Sequence, residues 1–151
     1  MTPRVTVTIN GSGIPGFVEG SIRKALPAIN RAMAMRFQEI WRDNFGPFGL
    51  DRPEWGPGAS QLSAKYAKKV GRNIATLWLT GALRDSIMMG GFEADSVELT
   101  SGSPYAAAHQ FGYGNLPKRP HCPIDENGNA MPFTLEQVIL SAQRALEQEL
   151  S

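Results

Sequence analysis

SIRKALPAINRAMAMRFQEIWRDNFGP, residues 21–47, is the stretch from which the fold is read. Ile22, Leu26, Ile29, Met33, Phe37, Ile40 and Trp41 recur at intervals of three and four, and Arg23, Lys24, Arg31, Arg36, Glu39, Arg42 and Asp43 fill the positions between. That period describes an amphipathic helix with one core-facing side. Ser21 is a candidate N-cap, and Gly46-Pro47 ends the helix. Pro27 removes a backbone donor and crowds the turn before it, so the spacing predicts either a kink there or a helix that begins near it.

Upstream, Arg4 to Ile9 alternates Val5, Val7 and Ile9 with threonine, the signature of a half-buried strand, and the turn-rich Asn10 to Gly16 follows. Downstream, residues 46–60 hold seven Gly or Pro and form an extended loop. Its Phe48, Leu50 and Trp55 are costly to leave in water, so they either pack back onto the domain or anchor a neighbouring subunit. Ser60 to Val70 reads as a short helix, and Thr80 as the cap of another. Ile87 to Phe92 and Val97 to Thr100 alternate around a turn-prone Glu93–Ser96, which predicts a β-hairpin. Tyr105 to Phe111 is helix-prone and stops at Gly112, and residues 113–133 are irregular. In the last segment Thr134 and Gln137 spell a capping box, flanked by Phe133 and Val138 as a hydrophobic staple. Leu135, Val138, Ile139, Ala142, Leu146 and Leu150 form its apolar stripe, which docks on the sheet or on a partner. The expected fold is α+β: a small antiparallel sheet from the first strand and the hairpin, packed against long N-terminal and C-terminal helices.

The 151 residues suit one domain, 1–151. Hydrophobic residues make up 42% and charged residues 19%, the balance of a folded globular chain. No apolar run is long enough to span a membrane, no signal-peptide pattern opens the chain, and the single Cys122 closes no intramolecular disulfide, all of which points to a cytosolic setting. The net charge is +1, but residues 1–75 carry 11 Lys and Arg against 5 acids and residues 76–151 carry 4 against 9. Such asymmetry either decorates solvated faces or joins copies head to tail.

Chemistry-bearing patterns are weak. Gly11-Ser12-Gly13-Ile14-Pro15-Gly16 spells G-x-G-x-x-G after a strand, but the helix that follows leads into a Gly/Pro loop, where a dinucleotide fold needs a second parallel strand. His109 and His121 lack the spacing of a metal pair, and Ser86, His109 and Asp125 have no nucleophile elbow to support them as a triad. No cofactor and no catalysis are expected. Lys65, Lys68, Lys69 and Arg72 cluster around Tyr66, and the alternative function is a small nucleic-acid-binding module built on that cluster.

From the loop onward four pieces occur in order. Trp55 precedes Leu62-Ser63, Tyr66 and Lys69; Leu79-Thr80-Gly81-Ala82-Leu83-Arg84-Asp85-Ser86-Ile87 fits L-x-T-G-x-L-x-x-S-I; Tyr105-Ala106 is followed by His109-Gln110-Phe111-Gly112; and Pro117-Lys118-Arg119-Pro120 fits P-x-R-P. Over about two thirds of its length the chain resembles the phage virion morphogenesis family. It departs after Arg119, where His121-Cys122-Pro123 stands in place of the family's apolar Phe or Leu. The resemblance implies a non-enzymatic virion protein of a tailed bacteriophage, assembled in the bacterial cytoplasm into a ring, hexameric by preference, at the head-tail junction. Implied partners are further copies, other neck, connector or tail-tube proteins, and genomic DNA passing through the lumen unread; no membrane is involved. Phe48, Trp55, Arg84, His109, Gln110 and Arg119 are the candidate subunit or partner contacts. His109 and Gln110 are expected to hydrogen-bond backbone across the following loop, setting Arg119 against an acidic neighbour.

Overall fold

A computed structural model describes residues 6–10, 21–45, 64–71, 82–92, 96–115, 118–125 and 127–150. Its elements run β1 (Thr6–Asn10), α1 (Ser21–Asp43), α2 (Ala64–Val70), α3 (Ala82–Asp85), β2 (Ile87–Gly90), β3 (Ser96–Ser101), α4 (Ala106–Phe111) and α5 (Pro132–Leu150). The three strands form one sheet in the order β1-β3-β2, so the expected α+β class holds, with the N-terminal strand paired to the second strand of the hairpin. The described residues group into two compact units, one from 41–87 and 101–122, the other from 6–40, 88–100 and 123–151.

In the second unit, β1 and β3 run antiparallel with Val7 opposite Leu99 and Ile9 opposite Val97. Thr6 and Thr8 fall on the other face, opposite Thr100 and Glu98. The period of two therefore buries Ile9, Val97 and Leu99 together and leaves threonine and glutamate to water. Gly91 turns the chain after β2 with φ +56°, and a Cβ there would lie 2.9 Å from the Glu98 carboxylate, so glycine alone fits without strain. α1 adds Ile29, Met33 and Phe37 to this core, as the three-and-four spacing predicts, together with Ala25 and Ala34, while Leu26 and Ile40 of the same stripe are half-buried. The helix starts at Ser21 and continues through Pro27, so a start at the proline is not what occurs.

α5 differs from its sequence reading at its first turn. It begins at Pro132, and the Met131 carbonyl accepts the first helical bond from the Leu135 amide at 2.8 Å. Proline is well placed at a first helical position, where its missing N–H has no partner to lose. Thr134 is consequently inside the helix and 3% exposed, and Gln137 accepts from Arg36 of α1 at 3.1 Å. Phe133 is 64% exposed, so the staple with buried Val138 does not form. Among the described residues no helix is long and apolar enough to cross a membrane.

Candidate interaction site

The first unit is organised around a buried polar knot. Trp41 ends the core face of α1 and is fully buried, so its indole N–H needs an acceptor inside the protein. It donates to Nδ1 of His121 at 2.8 Å, the two rings lying 16° from parallel with centroids 5.9 Å apart. The opposite ring nitrogen, Nε2, lies 2.9 Å from the Ala106 carbonyl in α4. Since Nδ1 accepts, Nε2 carries the proton and donates, which fixes a neutral imidazole with both nitrogens engaged. Burial accordingly pushes the His121 pKa down to about 4, the Ala106 carbonyl opposing the shift and the nearby His109 adding to it. Phe45 covers the ring at 5.2 Å, and Asn44 Nδ2 donates to the His121 carbonyl at 2.6 Å.

Gln110 completes the knot from α4. Its Oε1 accepts from the amides of His121 at 2.9 Å and Cys122 at 2.8 Å, and its Nε2 reaches the Cys122 carbonyl at 3.5 Å. A backbone segment with no regular partner thereby has its donors satisfied by one side chain. Burial raises the Cys122 thiol well above its ordinary range, which keeps it protonated and unreactive. The Arg119 amide donates to the His109 carbonyl at 2.7 Å, pinning the loop to α4 at the residue before Gln110.

A second set of bonds fixes the end of α3. The Ser86 hydroxyl donates to the Leu83 carbonyl at 2.6 Å, lies 2.7 Å from Ser101 Oγ, and the Ser86 carbonyl accepts from the Gly102 amide at 3.0 Å. Ile87, next in the motif, is fully buried, and Arg42 donates to its carbonyl at 2.7 Å. Ser86 thus closes a helix end and holds the chain beyond β3, a structural use for the serine of L-x-T-G-x-L-x-x-S-I.

Around α4 the knot leaves three aromatic rings in solvent: Tyr105 is 69% exposed, Phe111 56% and Tyr113 81%. Gly112 separates the last two with φ +78° and ψ 156°, a conformation open to glycine and not to residues with a Cβ. α4 buries Ala106, Ala107 and Gln110 and turns the aromatic residues at its ends outward. Stiff aromatic rings on a hydrogen-bonded support are typical of protein recognition surfaces, because they supply area at little cost in conformational entropy.

Of the six sequence-chosen contacts, Phe48 and Trp55 lie outside the described residues. Arg84 is half-buried on α3 with its guanidinium 3.3 Å from Asp85. Gln110 and Arg119 are interior, 5% and 6% exposed, so what they offer a partner is the placement of neighbouring residues. Gln110 does bond backbone across the loop as expected. His109 does so through its carbonyl, while its ring Nδ1 is buried with no hydrogen-bond partner. Burial, and then the charge of Arg119, lower the His109 pKa, and burial lowers that of Arg119. His121, Trp41 and Asn44 were not singled out from sequence as partners. The available signal was an indole in a core stripe, which needs an acceptor, in a chain with two histidines. Among the described residues no three His, Cys, Asp or Glu side chains gather to hold a metal. Asp125 is occupied in a turn, its Oδ1 accepting from the amides of Asn127 and Asn129 at 2.9 Å each. Comparison with family models, curated proteins and solved structures finds no match.

Proposed function

We propose that the chain is a non-enzymatic structural protein of a tailed bacteriophage whose copies form a ring at the head-tail junction, as a tail completion, tail terminator or neck connector subunit. The observation that carries this reading is the pairing of the hydrogen-bonded Trp41–His121–Gln110 knot with solvent-facing Tyr105, Phe111 and Tyr113. Those rings crown the segment in which Tyr105-Ala106, His109-Gln110-Phe111-Gly112 and Arg119-Pro120 resemble the virion morphogenesis family. His121, the more buried histidine, has both ring nitrogens committed to the fold, which suits scaffolding better than chemistry. Identical contacts between different patches of successive copies close a ring, and its two faces meet different partners while DNA passes through unread.

The purified chain, measured by size-exclusion light scattering and negative-stain imaging, is expected to form closed rings, hexamers by preference, and to co-purify with tailed particles. A chain that stays monomeric at all concentrations and is missing from particles overturns the reading. The exposed Lys65, Lys68 and Lys69 of α2 support the rival, a nucleic-acid-binding module. Salt-dependent binding to duplex DNA by a monomer is the result that would favour it.

A further inference from the structure

α5 meets its own chain with the wrong residues for an ordinary amphipathic helix. It buries Thr134, Val138, Ala142 and Ala145, all small or medium in size. Beside that face runs a second row, Leu135, Ile139, Leu146 and Leu150, at i, i+4, i+11 and i+15, with Ala142 between at i+7. Leu135 is 48% exposed and Leu150 60%, and Ile139 and Leu146 are half-buried. Spacing of three and four is that of a helix-helix seam, and its two ends, Leu135 and Leu150, are large aliphatic side chains left exposed by the fold.

Charge around the seam identifies its occupant. Glu136, Glu147 and Glu149 are exposed on α5, and no basic residue lies in its last turn. Two acids there stand at the negative end of the helix dipole, an arrangement that a cationic neighbour relieves. α2 has the opposite character: Lys65, Lys68 and Lys69 lie at i, i+3 and i+4 on one exposed face, with Tyr66, 39% exposed, at its edge. Two α5 seams laid against each other would set glutamates against glutamates, which disfavours a self-paired dimer.

We propose that the α5 seam receives α2 of a second copy of this chain, with Tyr66 against the leucines and the lysines against Glu136, Glu147 and Glu149. The inference rests on the ring reading above and names one of its contacts. Because different patches meet, each copy in a pair still presents one α2 face or one α5 seam to the next, and the contact propagates from copy to copy until it closes. One helix pair buries less than the roughly 1,200 Å² of a standard interface, so this contact works with others.

Charge reversal tests it. E147K/E149K and K68E/K69E, each made in the full chain, are expected to raise the concentration for half-assembly by about tenfold, while the circular-dichroism melt of samples too dilute to assemble stays unchanged because all four residues are exposed. Mixing the two variants in equal amounts restores assembly, since every junction between alternating copies regains opposite charges, and so does combining all four changes in one chain. If both variants assemble like the unaltered protein, or both fail and neither mixing nor combination rescues them, the α2–α5 contact is wrong and the ring stands. If the unaltered chain never assembles, the ring reading and this contact fall together. Crosslinks joining α5 to α5 also overturn it.

Discussion

α1 and α5 are both long amphipathic helices, yet they divide their side chains in opposite ways. α1 hides most of its large apolar side chains: Ile29, Met33, Phe37 and Trp41 are all at most 6% exposed, while Met35 is 49% exposed. α5 hides alanine, threonine and one valine, and leaves Phe133, Leu135, Leu140 and Leu150 between 38% and 64% exposed. α1 as far as Ile40 and the whole of α5 belong to one unit, where Arg36 bonds Gln137 and an open groove of about 530 Å³ runs between them, bordered by Met35, Glu39, Leu140 and Arg144. An apolar period establishes that a helix has a sticky side, and the burial shows whether its own chain uses that side. α1 is spent on folding; α5 is folded by its small residues and leaves Leu135 and Leu150 exposed, on the side where the contact proposed above is placed.

The sharpest way to break this contrast is to empty the α1 face. Phe37 is 2% exposed, and Phe37→Ala is expected to cost about 3–5 kcal/mol, read from urea unfolding of the purified chain. A loss below about 1 kcal/mol would mean that α1 does not carry the core.

The next effect reports on the knot where α1 ends. His121 is neutral in the fold with its pKa near 4, against 6.5 ordinarily, so below pH 6.5 the unfolded chain gains a proton that the folded chain refuses. Stability is therefore full above pH 6.5 and declines toward pH 4, by about 2 kcal/mol between pH 6.5 and pH 5. His109, lowered by burial and by Arg119, adds a further decline of the same sign. Urea midpoints across that range should fall in the unaltered chain and fall less steeply in His121→Gln; equal slopes would remove His121 as the source.

These two effects differ in how far the sequence announces them. Phe37 is legible because helical period is a local property, and the hairpin, β1 and the stop at Gly112 are legible for the same reason. The Gln110 bonds were accessible too, since a polar side chain in a short apolar helix needs a backbone partner. His121 was not, because its acceptor role depends on Trp41, 80 positions away, and no local pattern pairs them. The α5 start misled for a different reason: Pro132 and Thr134 are both good openings, and choosing between them depends on whether Thr134 is buried, a tertiary fact. The face that α5 leaves open was visible as a stripe that docks on sheet or partner. Only burial separates Val138 and Ala142, which are inside, from Leu135 and Leu150, which are not.

The smallest expected effect sharpens the contrast most. Leu135→Gln with Leu150→Gln removes two large apolar side chains, a change that inside α1 would unfold much of the chain. At concentrations low enough to keep copies apart, the α5 pair should shift stability by no more than about 0.5 kcal/mol, the range for residues already in water. At concentrations where the unaltered chain assembles, its melting temperature rises because association stabilises only the folded form, and the double variant should lack that rise. The two arms separate the alternatives. A loss of several degrees in the dilute sample would place Leu135 and Leu150 in the chain's own core, whereas loss of the concentration-dependent rise alone assigns them to a contact between copies.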